Sequence, residues 1–478
     1  MRHENRVPID ELAAKAEALL ESGQAEGAAA LFEELLRESP SDLRALRGLA
    51  EACFGLGDTS GAKHYTGLAL QANPDDARTL NNAGVLAFHA RDYERSAHFL
   101  EKSLAADSEY LDAHVNLCAT FGRLTMADPK HALESEQLIP TLRWISVNAS
   151  DPARDELVQL NRSLRTALLN RYRDIYRERG LRVLLYAPTP IMGALYYIFE
   201  SWQQCLGYMG IDTQMTLAGF PLEETLELFD PNVIITVDVP DVSGVMDWST
   251  IYERMNRHKI LIGLCSDFRQ TPKEADFYVT YHLDPSQDAQ LRRVTSPLLS
   301  LPFAFNPLLH RMRPARTLFE FAFVGTNSPV KATETEDYLI PVVRNRTGIL
   351  AGTGWPGRFG NFSQEDAGFL YNFAAICPNY HLRSQIESFS EVNERTHVLQ
   401  ACGAFQICDY PKAIDALYGP GELVAARNPQ EFHKVFEHYL QAPDERNAIV
   451  ARGMQKAWAS YSQFTALQPL VEFAGGKL

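Results

Sequence analysis

The sequence predicts an α/β protein with an all-α N-terminal part: a helical solenoid followed by two doubly wound halves. Three observations carry that expectation. Small and apolar positions recur every 34 residues through the first third. From residue 181 onward, short apolar runs alternate with helical patterns, which implies parallel sheets with helices on both faces. The alternation then restarts after residue 312, so it spans two sheets.

The repeat comes first along the chain. Pro40 in RESPSD, Pro74 in QANPDD and Ser108 in AADSEY are 34 residues apart. Ala28, Ala62 and Ser96 keep that register as small residues, and Leu12, Leu46 and Leu80 keep it as apolar ones. Each unit reads as two amphipathic helices joined by Asp or Gly turns. The pattern resembles the tetratricopeptide repeat over about residues 9–108, with a degenerate fourth unit from Leu111. Small residues let paired helices approach, and stacked units bury a continuous core. The concave face of such a solenoid suits a peptide or a partner protein. A plainer reading is that the repeats make a homo-oligomer or brace the rest. The repeat domain is expected over 1–145, and a long polar-faced helix in RDELVQLNRSLRTALLNRYRDIYRERG suggests a helical linker over 146–180.

Composition excludes some functions. A formal net charge of −15 and a pI near 5.4 argue against an extended nucleic-acid surface, which needs an excess of Lys and Arg. A local basic pocket for one phosphorylated small molecule remains compatible with them. Seven scattered cysteines with no CxxC pair predict reduced thiols. The opening MRHENRVPIDELAAK lacks an apolar h-region, and no apolar run reaches bilayer length, so a soluble cytoplasmic protein is expected. Histidines are dispersed, no HExxH occurs and no Asp-x-Asp follows a strand, so no metal site is expected.

In the first half, LRVLLYAP, VIITVD, KILIGLC and ADFYVTYH read as strands, and SLPFAFNP as a strand leaving the domain. In the second, FEFAFVGTN, GILAGTGWPG and NFAAICPNYH do, followed by AFQIC and a strand-helix unit from GELVAARNPQEF. The halves are expected at 181–311 and 312–478, hinged at MRPART, with the last helices packing back on the first half. A ligand belongs in the crevice at the carboxyl ends of the strands. Neither half has GxGxxG after its first strand, which argues against a nicotinamide dinucleotide.

One stretch, NERTHVLQACGAFQICDY (393–410), stands out. Asn393 suits an N-cap. The helix that follows, about three turns long, should end at Gly403. Its start offers free amide N–H groups and a positive dipole end, and Arg395 adds a bidentate phosphate donor. The chain then returns to the sheet and Asp409 emerges at its carboxyl edge. On pattern alone an ordinary capped surface helix explains the run equally well.

That stretch, with ALYGPGELVAARNPQEF and the helices after it, resembles the C-terminal half of CgeB-like glycosyltransferases. LPFAFNP and FAFVGTN also match, and the resemblance spans about residues 181–465, strongest over 393–465. It implies a GT-B fold: two Rossmann-like doubly wound domains, here behind a tetratricopeptide-repeat solenoid, the first on the acceptor side and the second holding a nucleotide-sugar donor. By position, the resemblance puts Asn393, Arg395, Thr396, Gly403 and Asp409 around the donor, with Gly325 and Thr326 facing its phosphates. It implies sugar transfer without a bound metal. The chain departs from the family where relatives carry Glu and it carries Val398, which bears on the ribose contact.

Other candidates follow from strand exits. Asp267, Asp238 and His282 are candidate bases in the first half, with Asp241 beside them. Tyr380 and His381 follow the third strand of the second half as candidate donor contacts. Gly193 reads as a residue allowing close approach or as a turn glycine. Lys331, Arg344 and Arg346 are basic residues that facing a diphosphate or plain surface exposure explains. The function expected is sugar transfer from a UDP-, GDP- or TDP-linked donor, with no other cofactor, to a Ser, Thr or Asn of a protein held by the repeats. Alternatives are a glycan or lipid-linked acceptor, or an inactive scaffold whose repeats bind a partner; Val398 favours the last.

Overall fold

The computed structural model describes residues 9–127, 138–149, 151–187, 194–237, 247–254, 260–264, 275–284, 286, 291–293, 297–344, 346–355, 362–387 and 392–476. Residues 1–150 fall in one compact unit and the bulk of residues 151–478 in another.

The first unit is a series of paired helices: α1 (Ile9–Glu21), α2 (Ala25–Glu38), α3 (Leu43–Gly55), α4 (Thr59–Ala72), α5 (Ala77–His89), α6 (Tyr93–Ala106), α7 (Leu111–Ala127) and α8 (Leu138–Asn148). The repeat register has a local cause. Asp42 and Asp76 each accept a first-turn amide N–H, from Ala45 and Thr79, and start α3 and α5. Asp58 and Asp92 do the same for α4 and α6, accepting from Gly61 and Arg95. Such a cap contributes roughly 1 kcal/mol. Ala28, Ala62 and Ser96 have no exposed surface. A Cβ added to Gly48 would fall 2.2 Å from the Phe32 ring, so α2 and α3 pack as closely as they do because Gly48 has no side chain.

In the second unit α9 (Asp155–Tyr172) leads into a six-stranded sheet of order β2-β1-β3-β4-β5-β6. Its strands are β1 (Arg182–Ala187), β2 (Asp212–Leu217), β3 (Val233–Val237), β4 (Ile260–Leu264), β5 (Phe277–Thr280) and β6 (Leu298–Ser300), and helix α10 (Ala194–Tyr208) lies between β1 and β2. The second sheet has the order β11-β10-β9-β7-β8, with β7 (Phe319–Val324), β8 (Gly348–Ala351), β9 (Ala374–Asn379), β10 (Gln406–Cys408) and β11 (Val424–Ala425). Pairing is parallel in both, as between β1 and β3 and between β7 and β9. Counted from its own first strand, each sheet begins 2-1-3-4-5. The order therefore reverses between β1 and β3, and again between β7 and β9. Ligands of open parallel sheets bind at the carboxyl ends of the strands at such reversals. These are two Rossmann-like halves behind a helical repeat region.

Two local expectations differ from the structure. Of SLPFAFNP (300–307) only Ser300 is in a strand, as the last residue of β6, and Phe305 makes an isolated bridge to Ser462. Strand β2 has no counterpart among the expected strands. It sits at the sheet edge, where DTQMTL is half exposed and needs no apolar run.

Polar struts tie α9 and the residue before it to the second half. Arg154 is 8% exposed and donates to the carbonyls of Asn372 (2.5 Å) and Gly403 (3.3 Å). Asn161 donates to Ala401 O at 2.8 Å and accepts from Met312 N at 2.9 Å. The last helix, Gln463–Gly475, lies on the first half: Phe464 stacks on Tyr208 at 5.3 Å, and Tyr172 donates to Gln468 at 2.8 Å. Among the described residues no helix is long and apolar enough to cross a membrane, and the cysteines are free thiols.

Candidate functional site

The odd stretch does form a capped helix. Asn393 Oδ1 accepts the Thr396 amide N–H at 3.0 Å and starts a helix over Glu394–Ala401. Gly403, at φ +64, turns the chain back toward β10. The helix is shorter than three turns because Cys402 and Gly403 already form the stop. The cap satisfies one of the amides that a helix start leaves open.

Arg395 places its guanidinium at the reversal between β7 and β9. It lies 4.3 Å over the ring of Phe323, which is in β7. Its Nη1 is 3.5 Å from Asn379 Oδ1, at the end of β9. It also packs against Gly325, where an added Cβ would fall 2.1 Å from Nη2. Gly325 is held in turn: its N–H donates to Ala351 O at 2.9 Å. Gly352, at φ +116, leaves room for the Gly325 carbonyl, which a Cβ would meet at 2.4 Å.

A second cation joins the first. Phe323 and Tyr380 stack at 5.4 Å, and Lys331 Nζ lies 5.9 Å from the Tyr380 ring centroid. Burial, together with the positive charge of Arg395, brings the Lys331 ammonium down to about 8. The charges of Asp409 and Glu334 oppose this. Among the described residues neither Arg395 nor Lys331 forms an ion pair with a carboxylate. Two like charges that repel each other in a half-buried site are stabilised by an anion. Glu394, beside Arg395, has its carboxyl pushed up to about 7 by burial.

Behind the cations lies a polar network without exposed members. Asp409 accepts the His381 N–H at 2.8 Å and faces His381 Nδ1 at 2.5 Å, both side chains being fully buried. His381 Nε2 is 3.3 Å from the Thr396 hydroxyl. Asn379 Nδ2 donates to that hydroxyl at 2.9 Å, and Asn393 Nδ2 donates to Asn379 Oδ1 at 2.9 Å. This chain of bonds runs from Asp409 to the start of the helix and fixes where it points.

Residues 335–470, which include this helix and most of the second sheet, match the model of a family described as glycosyl transferase-like. Residues 19–80 match that of the tetratricopeptide repeat. The chain joins tetratricopeptide repeats to a glycosyltransferase-like domain. No curated protein matches it. Among solved structures, it is similar to a mutant O-GlcNAc transferase of Thermobaculum terrenum at 14% identity, over 100% of this chain and 98% of that one, with a TM-score of 0.39. It is similar to T4 phage BGT, in complex with its UDP-glucose substrate, at 9% identity, over 62% and 99% of the two chains, with a TM-score of 0.48. The Sgt2 TPR domain from Aspergillus fumigatus aligns at 20% identity, over 29% and 87%, with a TM-score of 0.23.

The structure separates the second-half candidates of the sequence reading by where it places them. Arg395, Asn393 and Gly325 meet at the sheet reversal, with Thr326 exposed next to them. Thr396, His381 and Asp409 are buried behind it, so they position the helix and do not face the crevice. The expectation that Asp409 emerges into the crevice is corrected by the two bonds it accepts from His381. Tyr380 is also buried, its hydroxyl paired with Thr335 at 2.8 Å, so it does not stack on a base. Gly403 lies at the opposite end of the helix, where a Cβ would fall 2.5 Å from Met312 Sδ, away from Arg395. Arg346 is taken up by Glu437 and the Val342 carbonyl, and Arg344 is exposed.

Of the first-half candidates, Asp267, Asp238, Asp241 and Gly193 lie outside the described residues. His282 is half-buried just beyond β5. Its neighbour Leu283 packs on a cluster that includes Val392 and Cys408, the residues preceding Asn393 and Asp409. The sequence reading missed Phe323 and Asn379, the two supports of Arg395. Their one signal is a place at the carboxyl end of a strand beside the reversal, Phe323 next to last in β7 and Asn379 last in β9.

Proposed function

We propose that this protein transfers a sugar from a UDP-, GDP- or TDP-linked donor to a Ser, Thr or Asn of an acceptor protein held by the repeats. The observation that carries the reading is the pair of cations, Arg395 and Lys331, set without carboxylate partners among the described residues at a sheet reversal and a helix start. A nucleoside diphosphate is the anion that such a site fits. As the sugar–oxygen bond lengthens, negative charge grows on the departing phosphate. Cations already in place stabilise that charge without reorganising. The acceptor loses its proton to a base of the first half, where His282 lies next to the Leu283 contact with the second half. Free thiols support a cytoplasmic setting for the reaction.

The test offers the full chain a panel of UDP-, GDP- and TDP-sugars, reading thermal shift and donor hydrolysis, and then sugar incorporation into protein. A shift with one donor class and label on protein supports the reading. Silence across the panel removes it and leaves a scaffold.

A further inference from the structure

A separate group of arginines gathers at the link between the two sheets, and the proposed reaction does not use it. Arg165 is on α9, Arg311 and Arg313 are in the link between β6 and β7, and Glu365 is in the helix Gln364–Leu370. Arg313 bonds Glu365 Oε1, and its guanidinium lies 5.5 Å from the Phe369 ring centroid. Arg311 Nη2 stops 3.7 Å from the same oxygen, beyond hydrogen-bond distance. Arg165 donates through Nε to Pro307 O at 3.1 Å and through Nη2 to Leu308 O at 3.4 Å, so its Nη1 keeps its donors.

The group holds more positive charge than it matches. Among the described residues, Glu365 is the one carboxylate in ion-pair contact with any of the three guanidiniums, so two charges are left over. Asp366, next along the helix, is engaged by the Ser363 hydroxyl at 2.9 Å. Burial, and then the charges of Arg311 and Arg313, bring Arg165 below the usual arginine range; burial, and then Arg313, does the same to Arg311, with Glu365 opposing both. The side chains are open to solvent: Arg311 is 36% exposed, Arg313 24% and Glu365 42%. A ligand can therefore reach them.

We propose that this group is a binding site for a phosphate dianion, free or carried as the monoester of a small molecule. A carboxylate ligand brings one charge and two oxygens, and leaves a charge unmatched. A phosphate monoester carries about −1.5 to −2 at neutral pH and three acceptor oxygens, which meets the excess of two. Those oxygens take donors arriving from two directions, Arg165 on α9 and Arg311 on the link, in the charge-assisted bonds that guanidiniums make best. The net charge of −15 opposes a long polyanion in the same place. The site uses no residue of the donor site, so the inference stands apart from the proposed function.

The test is calorimetric titration and thermal melting of the full chain carrying Arg395→Ala, which removes the guanidinium of the proposed donor site. Inorganic phosphate and glucose 1-phosphate are added in turn at constant ionic strength, with acetate as the singly charged control. At least one phosphate binds and raises Tm with concentration, and the tighter arm tells free phosphate from a monoester; acetate does neither. Adding Arg311→Gln weakens phosphate binding about 10- to 150-fold, the worth of one charge-assisted hydrogen bond. It leaves Tm in phosphate-free buffer unchanged or higher, because one of three like charges is gone. Adding Glu365→Gln instead does the reverse: phosphate binds more tightly, and Tm without phosphate falls. No response to either phosphate, an equal response to acetate, binding that survives Arg311→Gln, or a phosphate-free Tm lowered by Arg311→Gln overturns the proposal. Arg395 is absent throughout, so failure here and failure of the donor site are separate results.

Discussion

The guanidinium of Arg395 fits against Gly325 because Gly325 has no side chain: a Cβ there would fall 2.1 Å from Nη2. Gly325→Ala therefore displaces the end of a flexible side chain, with little cost to the fold. Gly352→Ala is different. It forces an L side chain to φ +116 and brings a Cβ within 2.4 Å of a backbone carbonyl, a strain of roughly 1–3 kcal/mol or more. Thermal melts and UDP titrations separate the two: Gly325→Ala loses nucleotide affinity at nearly unchanged Tm, and Gly352→Ala loses Tm.

Arg395→Ala removes charge-assisted hydrogen bonds, each worth about 1.5–3 kcal/mol. UDP affinity and turnover fall roughly 10- to 150-fold by that principle, while Tm changes little. Arg395→Lys keeps the charge but not the planar fork, and recovers only part of the loss. Calorimetric titration of the three proteins checks this.

Lys331 gives the binding a pH dependence. Its ammonium sits at about 8 in the free protein, and a bound diphosphate favours the charged form. Affinity is therefore full below about pH 8 and declines above it, as protons must be taken up on binding. In Lys331→Arg the charge persists to higher pH and the decline disappears. A UDP titration series from pH 6.5 to 9.5, values chosen to bracket that midpoint, shows whether it does.

Asp409 supports the site from behind. Asp409→Ala leaves His381 buried without its two bonds. Removing one member of such a pair costs about 3–5 kcal/mol, so Tm falls by several degrees, and Asp409→Asn loses less. If Asp409 instead touched the donor, Asp409→Asn would lose affinity at unchanged Tm.

What was legible in the sequence was mostly local. The repeat register could be read because each unit reuses the same devices: Asp42 and Asp76, Asp58 and Asp92 cap equivalent helices. Strands β1, β3 and β9 read as apolar runs because both faces are covered. Strand β2 did not, because an edge strand keeps polar residues. Asn393 and Arg395 were legible since a cap and a first-turn cation are defined by neighbours in the chain. Whether a residue at a strand end faces the crevice or the interior depends on packing against distant segments. Asp409, His381 and Tyr380 therefore looked like contacts and are supports. Lys331 gains its meaning from Arg395 and Tyr380, which only the folded chain brings near it.

The most direct measurement is a crystal of the full chain soaked with UDP, GDP or TDP. The account predicts pyrophosphate density within hydrogen-bond distance of Arg395, beside Lys331 and the turn at Gly325 and Thr326. Density for the diphosphate at any other place, with Arg395 still resting on Phe323 and bonded to nothing new, contradicts it.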